Sequence, residues 1–161
     1  MKPITLFALL LLQTVSVAQQ NPPLTVFIAT ATPVVESGAE IRINVTVTNT
    51  TNHPIRIMKA LGSDGQAESV NHFEVYDADG IGAPSKHRPQ TWMSSKGVLL
   101  NPGKSLEDFS TITDLFDLSK PGKYTVVARH EFFARNDAQP SVQRILVPSN
   151  TITIAVNASG K

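Results

Sequence analysis

The chain has no cysteine in its 161 residues. That removes a thiolate nucleophile, a thiolate metal ligand and any disulfide, so the folded state has to rest on a buried apolar core. It also removes the acylated cysteine that anchors some exported bacterial proteins to lipid. Large aromatic groups with a polar edge are few, one tryptophan and two tyrosines, which makes a poor stacking platform for sugars. Neither sign of charge is in excess: 14 lysines and arginines face 13 aspartates and glutamates, so nothing favours nucleic acid or an anionic membrane in bulk. There is no Gly-x-Ser-x-Gly elbow and no glycine-rich phosphate loop, and no amphipathic helical period of useful length.

One long apolar run exists, and it lies at the start. Lys2, the run Ile4 to Leu12 and then Ser16-Val17-Ala18 supply the positive start, apolar centre and small residues of a secretory signal peptide. The run is well short of the roughly 20 residues that span a bilayer. Cleavage after Ala18 is expected to release residues 19–161 as one domain, secreted or periplasmic, with no membrane insertion.

Beyond that point the chain reads as short strands separated by turns. Leu24 to Ala31 places Val26 and Ile28 on one side, and Pro33 ends it. The clearest alternation follows: Ile41, Ile43, Val45 and Val47 share a core face, while Arg42, Asn44, Thr46 and Thr48 share a wet one. Asn49 to Pro54 is turn chemistry, and Ile55 with Ile57 marks a third strand expected to form a hairpin with the second. Phe73-Glu-Val-Tyr76 ends in the tight acidic turn Asp77-Ala-Asp-Gly80. Val98 to Leu100, Asn101-Pro-Gly103 and Lys104 to Ile112 read as strand, turn and strand. Pro121-Gly122 then feeds a strand in which Tyr124, Val126 and Ala128 alternate with Thr125, Val127 and Arg129, apolar enough on both faces for a central position. Asn150 to Val156 closes the domain with Ile152, Ile154 and Val156 on one face. Seven or eight such strands and no helices predict an all-β fold, a single antiparallel immunoglobulin-like β-sandwich without a disulfide.

Leu118-x-x-Pro121-Gly122-x-Tyr124-x-Val126-x-Ala128, with the terminal strand from Ser149, resembles the last two strands of immunoglobulin-like and fibronectin-type-III-like domains. That resemblance implies that Tyr124 anchors the turn before its strand, and that Val45 and Val126 stand near the places of the missing cysteines. Taken with Val45 to Ile55, Phe73 to Gly80 and Leu100 to Leu106, the same phrases resemble the intracellular proteinase inhibitor domain family, bacterial β-sandwiches whose founding members inhibit serine proteases. The resemblance implies the fold and offers inhibition as a function, though all matched residues are turn or core positions.

Partial catalytic patterns fail on spacing. His130-Glu131 lacks the second histidine of a zinc peptidase helix, since Ala134 stands there and the segment reads as strand. Asp77 and Asp79 lack the later ligands of a calcium loop and read as a hairpin turn. His53, His72 and His87 read as solvated loop residues. Asn44-Val-Thr46, Asn49-Thr-Thr51 and Asn157-Ala-Ser159 match glycosylation acceptors. No cofactor is implied and catalysis has no visible home.

The longest piece without periodicity, residues 81–97, gathers Lys86, His87, Arg88, Trp92, Met93 and Lys96. A long loop on a rigid sandwich is where binding usually resides, and Trp and Arg are the residue types that most often anchor an interface. The competing reading has Trp92 folding back into the core while the cations stay in water. The leading expectation is an exported non-enzymatic module that recognises a protein or cell-envelope partner through this loop. A proteinase inhibitor is the alternative and a carbohydrate-binding domain the weaker one, and an exposed edge strand offers a route to a homodimer.

Overall fold

A computed structural model describes residues 22–57, 59–61, 67–69, 71–86, 92–93, 98–135 and 142–160. Twelve strands and one short 3-10 turn make up its regular structure. They are β1 (Leu24–Ala29), β2 (Val34–Glu36), β3 (Arg42–Asn49), β4 (Ile55–Ile57), β5 (Lys59–Leu61), β6 (Ala67–Ser69), β7 (Asn71–Tyr76), β8 (Trp92–Met93), β9 (Val98–Leu100), β10 (Ser105–Thr111), β11 (Gly122–Arg135) and β12 (Val142–Asn157). The 3-10 turn, Ile112–Asp114, follows β10.

The fold is nearly all β, in one curled sheet of order β10-β3-β1-β12-β11-β7 with β2 added on β12. Pairs β4-β9 and β6-β5-β8 form two small sheets beside it. The pairing is mixed, because β1 and β2 both run parallel to β12 and every other pair is antiparallel. The predicted hairpin between the second and third strands does not form: Asn49 to Pro54 turns the chain away, and β4 pairs instead with β9 through Ile55 and Leu100. Strands outnumber the seven or eight predicted because the segments between the strong alternations carry short pairs of their own.

The alternating apolar residues build the core. Leu24, Ile28, Ile41, Ile43, Val45, Val47, Val126, Ala128 and Ile154 are all within 2% of complete burial. Burying a branched side chain of this size contributes roughly 1.5–3 kcal/mol, which is the stabilisation the chain uses in place of disulfides. Tyr124 is buried, and its hydroxyl donates to the Lys120 carbonyl at 2.9 Å, fastening the turn that precedes β11. Burial also pushes the Tyr124 phenol above its ordinary range.

Asn49 is the polar counterpart of that anchor. It is fully buried, and its carboxamide nitrogen donates to the carbonyls of His53 and Leu100, both at 2.8 Å. Its carboxamide oxygen accepts from the Thr51 amide and hydroxyl, while its main chain pairs with Gly103 and Lys104. One side chain therefore ties the 49–54 turn to β9 and to the 101–103 turn. Asn49→Ala is expected to lower the unfolding free energy by about 2 kcal/mol, since it takes the carboxamide partner from the buried Leu100 carbonyl and the part-buried Thr51 amide; urea denaturation reads this directly.

Candidate functional site

The loop singled out by composition leaves the frame at a fixed base. The Asp77 carboxylate accepts from the amides of Asp79 and Ile81 at 3.0 and 2.8 Å, and Gly80 takes the left-handed φ of 76° that this tight turn requires. The acidic pair thus closes its own turn. Ala83 then donates to Val75, Ser85 bridges to Phe116, Asp117 donates to Pro84, and the Lys86 amide donates to Leu115. The Lys86 ammonium also donates to the Thr113 carbonyl, so this cation is spent on the loop's own base. At the far end the chain re-enters through β9.

Of the six residues expected to form the site, Lys86 sits at this base. Trp92 and Met93 form β8 and pair with Leu61 and Ala60 of β5. His87, Arg88 and Lys96 lie outside the described residues. Among the glycosylation matches, Asn49 is closed off by its burial and its two donated bonds, whereas Asn44 and Asn157 are exposed.

Elsewhere the titratable residues pair on β7 and β11. On the outer face Arg129 binds Glu74 through both carboxylate oxygens, at 2.6 and 3.3 Å, and His72 Nε2 meets Glu131 Oε2 at 2.8 Å. The Arg129 guanidinium holds the Glu74 carboxyl below its usual range. On the inner face His130 is completely buried, with Nδ1 at 2.9 Å from the Asn71 carboxamide oxygen and Nε2 without a hydrogen-bond partner. Sequence reasoning weighed His130 only against a metal pattern; its inward position follows from its sharing the face of Val126 and Ala128. Among the described residues no three His, Asp or Glu side chains gather closely enough to hold a metal ion.

Burial lowers the pKa of His130 to about 4, with Asp108 and Glu131 opposing the shift and His72 adding to it. The folded state therefore keeps the ring neutral while the unfolded chain protonates it near its ordinary value of about 6.5. Between these two values unfolding takes up a proton, so stability falls as pH falls. The loss is expected to reach roughly 2 kcal/mol by pH 5, before the carboxylates titrate. His130→Phe should flatten the slope between pH 7.5 and 5, as read from denaturation midpoints along that series.

No family model matches the chain, and no curated protein sequence matches it. Solved structures with similar chain paths include the CARDB domain of the PF1109 protein from Pyrococcus furiosus, determined with di-metal ions. It is 17% identical, with 84% of this chain and 94% of that one covered and a TM-score of 0.45. The sporulation control protein Spo0M of Bacillus subtilis is 14% identical, over 86% of this chain and 51% of that one, at a TM-score of 0.41. The β-glucosidase EmGH1 of Erythrobacter marinus is 15% identical, over 79% of this chain but only 15% of the enzyme, at 0.36. Likenesses at these scores carry neither family nor activity to this chain.

Proposed function

We propose that the chain is an exported, non-enzymatic recognition module, an immunoglobulin-like sandwich that binds a protein or cell-envelope partner through residues 81–97. The observation that carries this reading is the construction of the segment's two ends. The Asp77 turn and the bonds of Ala83 to Lys86 fix its start, and the β9 pairing with β4 fixes its return. A segment held at both ends on a rigid frame gives up less entropy on binding than a free one. The Tyr124 anchor supports the immunoglobulin-like assignment, and the apolar run with small residues at 1–18 supports export.

Lys86 serves as an anchor in this reading, and Arg88 and Trp92 carry the contact. An edge-paired homodimer is the weaker form of partnership. Strands β10 and β7 end the sheet among the described residues, but Glu107 and Asp108 place carboxylates along β10, and Gly82 and Ala83 already pair with Tyr76 and Val75 of β7, which discourages pairing with an identical edge.

The test is retention of envelope and secreted proteins on the immobilised chain, read by mass spectrometry. A specific partner held by the wild type and lost with Trp92→Ala or Arg88→Ala, at a cost of at least about 2 kcal/mol in affinity, is the expected result. Retention that both variants leave unchanged removes the loop from the reading. Stoichiometric inhibition of a serine or metallopeptidase by the same preparation identifies the partner as a protease.

A further inference from the structure

A second feature lies on the outer face of β1, β3 and β10, at the other end of the sheet from β11 and β7. Phe27 of β1 and Phe109 of β10 are 57% and 53% exposed, on a face that the alternation assigns to water. They flank β3, where Phe27 stands opposite Thr46 and Phe109 opposite Asn44. Between them runs a groove of about 440 Å³, lined by the two rings, Asn44, Thr46 and Glu107, with Asp108 at its side. That volume falls within the range of about 300–1,000 Å³ typical of small-molecule sites.

The lining has the composition of a recognition surface. Asparagine is disfavoured inside strands, yet Asn44 occupies the middle of one. Among the described residues the side chains of Asn44, Thr46 and Glu107 make no hydrogen bond or ion pair. They present a carboxamide, a hydroxyl and a carboxylate, with donors and acceptors of both kinds, between two apolar ring faces. The Arg42 guanidinium lies 3.9 Å from the centroid of the Phe109 ring and covers it from one side, which holds that ring in place.

The geometry narrows the ligand. Strand β3 is paired on both sides, by β1 and β10, so its main chain offers nothing to an incoming peptide strand, and recognition falls to side chains. The carboxylates of Glu107 and Asp108 outnumber the one guanidinium beside the groove, which Arg42 already lays on the Phe109 ring, so the lining does not favour anions. The two phenylalanines are separated by two strand spacings and a two-residue offset, about 12 Å between their backbone positions, too far for a single small ring to meet both. A neutral, extended ligand with alternating apolar faces and hydroxyl groups fits all three conditions. We infer that the groove between Phe27 and Phe109 binds a neutral oligosaccharide, with successive sugar faces on the two rings and hydroxyls on Asn44, Thr46 and Glu107.

Calorimetric titration of the purified chain with cellohexaose, xylohexaose and chitohexaose tests this. Saturable binding of at least one of them is expected. Phe27→Ala and Phe109→Ala should each weaken it by about tenfold or more, Phe109→Tyr should restore it, and Asn44→Ala should cost about fivefold. Both rings are more than half exposed, so these variants keep the fold, which thermal melting checks. Trp92→Ala leaves this binding unchanged, which separates the groove from the loop. Binding of none of the three sugars overturns the inference. So does sugar binding indifferent to both phenylalanines, or occupation of the same groove by an arginine-rich peptide in place of sugar.

Discussion

The fold depends on one side chain that behaves as main chain. Where β1 meets β12 only one residue pair is in register, Val26 with Ser149, and the parallel ladder stops there. The Asn150 carboxamide takes over: its oxygen accepts from the Ile28 amide at 2.8 Å and its nitrogen donates to the Ile28 carbonyl at 3.0 Å. Ile28 is fully buried, and these two bonds satisfy main-chain groups that would otherwise be orphaned inside the core. Next to it Pro148, which has no amide hydrogen, stands opposite Arg129, and the register of β11 slips between Val127 and Arg129. The Ala128 amide displaced by that slip is recovered by the Ser149 hydroxyl at 2.9 Å. The three residues Pro148-Ser149-Asn150 therefore let one long strand turn from one half of the sheet to the other, with side chains answering the Ile28 amide and carbonyl and the Ala128 amide at the bend.

That bend decides where function can sit. On one side of it β1, β3 and β10 turn an exposed face outward with two phenylalanines on it. On the other side β7 and β11 cover theirs with the Arg129–Glu74 and His72–Glu131 pairs. Inside, His130 and Asn71 form a buried polar pair with one imidazole nitrogen unanswered, which couples the stability of the frame to acid. The core residues of β1 and β3 between Leu24 and Val47 are aliphatic and closed, which insulates that half of the frame from these surface differences. Changes on its outer face should then alter binding without reaching the fold.

Alternation made most of the core legible: Ile41 to Val47, Val26 with Ile28, Tyr124 to Ala128 and Ile152 to Val156 all fall on the faces that period-two spacing assigns. The Asp77 turn was legible through carboxylate chemistry local in sequence, and the Tyr124 anchor through the resemblance to immunoglobulin-like domains. Partner choice was not, because pairing depends on residues far apart: nothing in Ile55-Arg-Ile57 says that Leu100 rather than Val47 will lie beside it. The parallel pairs to β12 were hidden for the same reason, and so was its length, since Pro148 reads as a stop until the bulge at Ser149-Asn150 beside it is known. The groove was missed because Phe27 and Phe109 lie 82 positions apart and converge only when both strands flank β3. Tryptophan drew attention instead to residues 81–97, of which the structure anchors Lys86 and pairs Trp92 and Met93.

The claim that Asn150 joins the two halves is tested most directly by hydrogen exchange at the Ile28 amide in Asn150→Ala, measured together with equilibrium unfolding. The account predicts that this amide loses its protection and that unfolding free energy drops by roughly 2 kcal/mol, as two buried groups lose their partners. An Ile28 amide that stays as protected as in the wild type, with stability changed by less than about 0.5 kcal/mol, would contradict it.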